Sequence, residues 1–166
     1  MREVCYLALG SNIAPRKKYL EFALSSIGQI SNLQACSAIY ETKPKYIVEQ
    51  DKFLNMVVRI ATMYSPENLL AQCKAIEQTI GRVKTFRNGP RVIDIDVILY
   101  GNEEYSTKDL LIPHPRMHER GFVLVPLCEI IDNKNLPRYQ KSAHMLLGEL
   151  ASVEQDNVQV WSGNIS

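Results

Sequence analysis

A well-bounded helix between two β-prone runs constrains this chain more than any other feature. Ser65 stands where an N-cap oxygen is needed, Pro66 suits the first helical position, and Gly81 supplies a stop. Between them Leu69, Cys73, Ile76 and Ile80 fall on one face, so the helix must lay an apolar stripe on a neighbouring layer. The run before it, Phe53 to Thr62, and the run after it, Val92 to Tyr100, read as strands. In the second, Ile93, Ile95, Val97 and Leu99 alternate with Val92, Asp94, Asp96, Ile98 and Tyr100.

The first part of the chain repeats this grammar. Val4 to Leu9 predicts a strand, Gly10-Ser11-Asn12 a turn, and Leu20, Ala23, Leu24 and Ile27 a helix ending near Gly28. Leu33 to Thr42 predicts a second strand, and the polar segment 43–52, with Pro44, a long loop. The order βαββαβ predicts an α+β fold: a ferredoxin-like split βαβ core, a mainly antiparallel sheet with helices packed on it. At 166 residues, one domain spanning 1–166 is expected. Further on come a Pro-His-Pro segment, the apolar stretch Phe122 to Ile131 and a helix from Ala143 to about Leu150. The final residues, with the sole Trp161, carry no clear signal.

Composition removes several function classes. With 19 basic and 18 acidic residues, nothing in the totals implies a nucleic-acid partner. No apolar run reaches the length of a membrane span, and Val4 to Leu9 is shorter than a signal-peptide core. Cys5, Cys36, Cys73 and Cys128 are widely spaced with no CxxC pair, which predicts buried free thiols and a cytoplasmic location.

The chemistry concentrates around Asp94 and Asp96. Two apart on a strand, both leave the same face roughly 6.5–7 Å apart. Like charges so placed raise each other's proton affinity unless a cation lies between them. The spacing alone leaves open a hard-cation site and a solvent-facing pair on an edge strand. The preceding segment tips the balance, because Arg82, Lys84, Arg87 and Arg91 supply four cations and no acid before the strand. Magnesium on the aspartates and guanidinium groups beside them would together neutralise a polyphosphate. The usual phosphate loops, GxxxxGK[ST] and GxGxxG, are absent. His114, held between Pro113 and Pro115, is a rigidly presented imidazole, with Arg116 and Arg120 adding charge nearby. Phe122 is either core or one wall of a slot for a planar heterocycle.

The run Arg87-Asn88-Gly89-Pro90-Arg91-Val92-Ile93-Asp94-Ile95-Asp96-Val97-Ile98 resembles the signature of the 6-hydroxymethyl-7,8-dihydropterin pyrophosphokinase (HPPK) family. The resemblance extends through Gly10-Ser11-Asn12, Tyr40-Glu41-Thr42, Phe53-Leu54-Asn55, Pro113-His114 and Arg120-Gly121-Phe122, in family order, over roughly residues 4 to 131. It implies a folate-pathway transferase that moves the β,γ-diphosphate of ATP to the pterin hydroxymethyl oxygen, leaving AMP. By the same resemblance Asp94 and Asp96 would hold two Mg²⁺ ions, and Arg82 and Arg91 would stabilise the transferring phosphates. Glu77, Lys84, Arg87, His114 and Arg120 would bind ATP. Thr42, Pro44, Phe53, Asn55 and Phe122 would bind the pterin. Asn88 stands where the family often has an aromatic residue, and Lys43-Pro44-Lys45-Tyr46 is more basic than the family's pterin loop. Segments 43–52 and 82–91 are the expected lids. The partners expected are these two small molecules, with neither nucleic acid nor membrane, and a monomer is expected.

Overall fold

A computed structural model of the protein describes residues 2–44, 49–81 and 89–163. Strand β1 (Glu3–Ser11) leads into helix α1 (Arg16–Ile30), followed by β2 (Asn32–Cys36), β3 (Tyr40–Thr42) and the long β4 (Phe53–Thr62). Helix α2 (Pro66–Ile80) precedes β5 (Asp94–Tyr100), and a small hairpin, β6 (Tyr105–Ser106) and β7 (Leu111–Ile112), follows. Helices α3 (Gly121–Ile130), α4 (Ala143–Glu149) and α5 (Ser152–Asp156) then lead to a last strand, β8 (Val158–Val160).

The main sheet runs β5-β1-β4-β3-β8, with β2 also on β4, and every pairing is antiparallel. Because β1 lies between β4 and β5, the two strand–helix–strand units interleave, which is the split βαβ arrangement expected. Helix α2 forms as its residues dictate. The Ser65 hydroxyl accepts the Asn68 amide at 3.3 Å, Pro66 opens the helix, and Gly81 ends it at φ 110°, a left-handed conformation that favours glycine.

Alternation sorts the strand residues between two cores. Cys5, Leu7, Leu9, Ile95 and Val97 pack with Leu20, Ala23 and Ile27 of α1 and with Leu69, Cys73 and Ile76 of α2. Tyr6, Val57, Ile98 and Leu99 pack with Val123, Leu124 and Leu127 of α3 and with Ala143 and Leu146 of α4. The molecule is therefore three layers, with the sheet in the middle.

Three sequence expectations need revision, and one stretch left without an element acquires one. Leu33 to Thr42 is two strands, since the Ser37 amide donates to the Val57 carbonyl and the Ser37 hydroxyl accepts the Val57 amide, both at 2.9 Å. A side chain there stands in for the backbone ladder, and the strand breaks. Strict alternation in β5 also fails: Leu7 pairs with Val97 but Tyr6 with Leu99, so Ile98 is an extra residue that turns Leu99 to the α3 face. The Phe122 to Ile131 stretch is helix α3, apolar nearly throughout because it is sandwiched between sheet and α4, and it accommodates Pro126 in its interior. Of the thiols, all four are free, but only Cys5 and Cys73 are buried; Cys36 is exposed on β2 and Cys128 is half-buried.

Candidate active site

The same parity that builds the α3-side core assembles a cleft at one end of that face. Asp94 pairs with Gly10 and Asp96 with Ala8, while Gly10 pairs with Asn55 across β4, and Asn55 with Tyr40 across β3. Phe53 and Thr42 pair one step further along. Side chains of paired residues share a face, so two carboxylates, an amide, a hydroxyl and an aromatic ring converge without any long-range coincidence. Arg120 and Phe122, at the start of α3, close the cleft from the facing layer, and Lys43, Pro44, Gly89 and Arg91 line its rim.

Local contacts fix the polar groups. The Asn55 amide nitrogen donates to the Thr42 hydroxyl at 2.6 Å, leaving its carbonyl oxygen beside Gly10. A Cβ at Gly10 would stand 2.9 Å from that oxygen, so any side chain there would have to push the Asn55 amide from its place beside Thr42. The Asp96 carboxyl is pushed up to about 7, first by burial and then by the Asp94 charge beside it, with Lys74 and Arg120 pulling the other way. The Arg120 Nε is buried and has no hydrogen-bond partner among the described residues, while its guanidinium lies 5.5 Å from the Phe122 ring centre. An unpartnered buried cationic donor beside two crowded carboxylates is an arrangement that an anion and a cation together would relieve.

His114 is held from several directions. Its amide donates to the Ile98 carbonyl at 3.0 Å, the group displaced by the β5 bulge, and its Nδ1 accepts the Arg116 amide at 3.2 Å. Burial, then the nearby Arg120 charge, pushes its pKa down to about 4, so the imidazole is neutral and carries its proton on Nε2. Behind it, Arg138 donates to the carbonyls of Pro113 and Ile112 at 3.3 and 3.4 Å.

Of the residues singled out from sequence, Thr42, Pro44, Phe53, Asn55, Arg91, Asp94, Asp96, Arg120 and Phe122 line this one cleft. His114 and Glu77 do not line it, but their charges bear on it: Asp94 and Arg120 act on His114, and Glu77 acts on Asp96. Glu77 is fully buried on α2, not an exposed helix residue, with Lys74 at 3.1 Å. Arg82, Lys84, Arg87, Asn88, Lys45 and Tyr46 lie outside the described residues.

Asn12 carries more than the plain turn expected of Gly10-Ser11-Asn12. Its amide nitrogen donates to the Gln50 side chain at 3.0 Å and the Asp51 carbonyl at 3.2 Å. Its side-chain oxygen accepts the Arg91 amide at 2.7 Å, and its own backbone amide donates to the Arg91 carbonyl at 3.1 Å. One buried side chain thus ties the end of segment 43–52 to the end of segment 82–91. The only local signal was an asparagine at a strand end.

A split βαβ sheet carries paired carboxylates, cations and an aromatic-walled polar slot in one cleft, groups suited to hold a phosphate ester beside a planar heterocycle. The family model for 7,8-dihydro-6-hydroxymethylpterin-pyrophosphokinase (HPPK) matches residues 6–132, and the chain belongs to that family. It is 40% identical over 163 residues to the 2-amino-4-hydroxy-6-hydroxymethyldihydropteridine pyrophosphokinase of Bacillus subtilis, covering 97% of this chain and 92% of that protein. The corresponding Haemophilus influenzae enzyme is 43% identical over 137 residues, covering 81% of this chain and 86% of that protein. The HPPK-DHPS of Plasmodium falciparum, solved with pteroate, superposes with a TM-score of 0.75 at 15% identity, over 89% of this chain and 42% of that one, a likeness of fold.

Proposed function

We propose that this chain, as one domain over 1–166, transfers the β,γ-diphosphate of ATP as a unit to 6-hydroxymethyl-7,8-dihydropterin. A bond forms between the pterin hydroxymethyl oxygen and the β-phosphorus. The bond from that phosphorus to the α,β-bridging oxygen breaks, AMP leaves with the oxygen, and the hydroxyl proton is released. The observation that carries the reading is the convergence of Asp94 and Asp96 with Arg91, Arg120, the Thr42–Asn55 pair and two aromatic rings in a single cleft.

Each residue type suits its share. The Thr42–Asn55 pair offers a fixed polar edge to a pterin, and Phe53 from β4, Phe122 from α3 and Pro44 give it apolar walls. Arg91, with Arg82 from the adjoining segment, compensates charge on the transferring diphosphate. Lys84, Arg87, His114, Arg120 and Glu77 serve the nucleotide. Neutral His114 offers an Nε2 donor without adding charge.

Two magnesium ions would sit on Asp94 and Asp96. The fit rests on the donor set: crowding and burial raise the Asp96 proton affinity, and a hard cation reverses that. Among the described residues no three His, Cys, Asp or Glu gather as a metal cage. Magnesium asks for less, one or two carboxylates with phosphate oxygens and water completing its shell. When bound, it would neutralise phosphate charge and align the reacting oxygens. We take the enzyme to be a monomer in the cytoplasm. No described helix is long and apolar enough to cross a membrane, and four free thiols suit a reducing compartment.

The deciding experiment incubates the protein with ATP, Mg²⁺ and 6-hydroxymethyl-7,8-dihydropterin and separates the nucleotides. AMP that forms only with the pterin supports the reading. ADP as the product, or AMP release indifferent to the pterin, rejects it.

A further inference from the structure

Residues 151–161 form an element outside the 6–132 family match, and it touches both pterin-side walls at once. Strand β8 pairs with β3 through Val158 and Thr42, Gln159 and Glu41, and Val160 and Tyr40. The Trp161 amide extends the ladder, donating to the Ile39 carbonyl at 2.9 Å. Four residues upstream of β8, the Glu154 carbonyl oxygen lies where a Cβ on Gly121 would meet it at 2.5 Å, and Val158 lies 3.3 Å from the same point. Gly121 stands between Arg120 and Phe122, so the α5–β8 segment presses on α3 where α3 enters the cleft.

Strand β3 is only three residues long. With β4 alone as neighbour it would be a short edge strand, the kind of element that opens most readily. β8 gives it a second ladder. The segment is itself anchored: the Gln155 side chain donates to the carbonyls of Leu147 and Leu150, both at 3.1 Å, and Trp161 packs against the α1-side core with the Lys17 ammonium 5.9 Å from its ring centre. The segment reaches the cleft at Thr42 and at Gly121, the residue before Phe122, whereas Asp94 and Asp96 stand on β5 at the opposite edge of the sheet.

We infer that the α5–β8 segment is a positioning element for the pterin half of the site, holding Thr42 through β3 and Phe122 through Gly121. The inference rests on the assignment of Thr42 and Phe122 to the pterin. Its consequence is selective: loosening β8 weakens pterin binding while leaving ATP binding and the chemical step nearly as they were.

Trp161→Pro removes the amide donated to Ile39, and Trp161→Phe keeps it together with an aromatic ring. The proline variant is expected to raise the pterin KM about fivefold with the ATP KM moving less than about twofold, and phenylalanine to restore the wild-type values. Equal rises in both KM values, or a fall in kcat alone, overturn the inference. A measurement independent of any variant accompanies it. By linkage, pterin alone must slow hydrogen exchange at Val158–Trp161 in the wild-type protein, and unchanged exchange there at saturating pterin overturns the inference even if Trp161→Pro does not fold. Wild-type AMP production answers the proposed reaction separately, before any variant is compared.

Discussion

The two faces of the sheet use the same strands for different ends. On the α1–α2 side the inward residues are apolar except at the strand ends, where Ser11 and Thr62 are buried, and Leu7, Leu9, Leu54, Ile60 and Ile95 are all but sealed from solvent. On the α3 side the apolar core covers one end of the face, and at the other the same alternation places Thr42, Asn55, Asp94 and Asp96 around a cleft. Burial on the first face supplies stability. On the second, part of that stability is given up to hold polar groups in a fixed array. Asp94-Ile95-Asp96 condenses the contrast into three consecutive residues, since Ile95 faces one layer and its neighbours the other.

That tripeptide is where the comparison is most easily broken. Asp96→Asn, nearly isosteric, is expected to lower turnover by about 10³-fold or more, because it removes one of the two carboxylates proposed to hold the magnesium ions. The same change should not destabilise the fold. A carboxyl whose pKa is raised by folding opposes folding once ionised, so at about pH 8 the asparagine variant should unfold in urea no earlier than wild type. Turnover and urea midpoint measured on one preparation decide the matter. Loss of both together would mean that Asp96 belongs to the framework and not to the chemistry.

Ile95→Ala should do the reverse. Removing a fully buried side chain from the α1–α2 face costs about 2–5 kcal/mol of stability, depending on how far the neighbours close the gap. Per folded molecule, kcat should stay within about threefold of wild type, because the flanking aspartates keep their strand register. Chemical denaturation gives the first quantity, and initial rates corrected for the folded fraction give the second. A collapse of kcat in well-folded Ile95→Ala would show that the faces are coupled.

Legibility in the sequence followed the same division. Helix α2 could be read because its start, stripe and stop are local: Ser65, the apolar positions through Ile80, and Gly81. The Asp94–Asp96 pair could be read because strand alternation is also local. What escaped depends on partners far along the chain. Ser37 breaks a strand only because Val57 lies opposite, and β8 is three unremarkable residues until β3 is beside it. The Ile98 bulge arises from how β1 and β5 pair, not from any residue type in Val97-Ile98-Leu99. Asn12 is the functional counterpart, joining Gln50 and Arg91, 38 and 79 residues away, through one amide. Nothing local distinguishes such an asparagine from one that merely turns the chain.

His114 offers the smallest and most selective test, because it lies on the α3 side yet acts on stability through its charge state. Burial first, and then Arg120, lower its pKa from the ordinary 6.5 to about 4, so between those values the unfolded chain binds a proton that the folded one refuses. The contribution is therefore fully present above about pH 6.5 and is lost as the solution is acidified toward pH 4, the sign expected when the unfolded state is the better proton acceptor. Between about pH 7 and pH 5 the loss should be about 1–2 kcal/mol beyond that of His114→Gln, in which this titration is absent while the other ionisable groups are kept. Urea midpoints of the two proteins at both pH values isolate the effect. Parallel pH dependence would mean that the folded protein accepts the proton as readily as the unfolded chain, and that burial does not hold the imidazole neutral in mild acid.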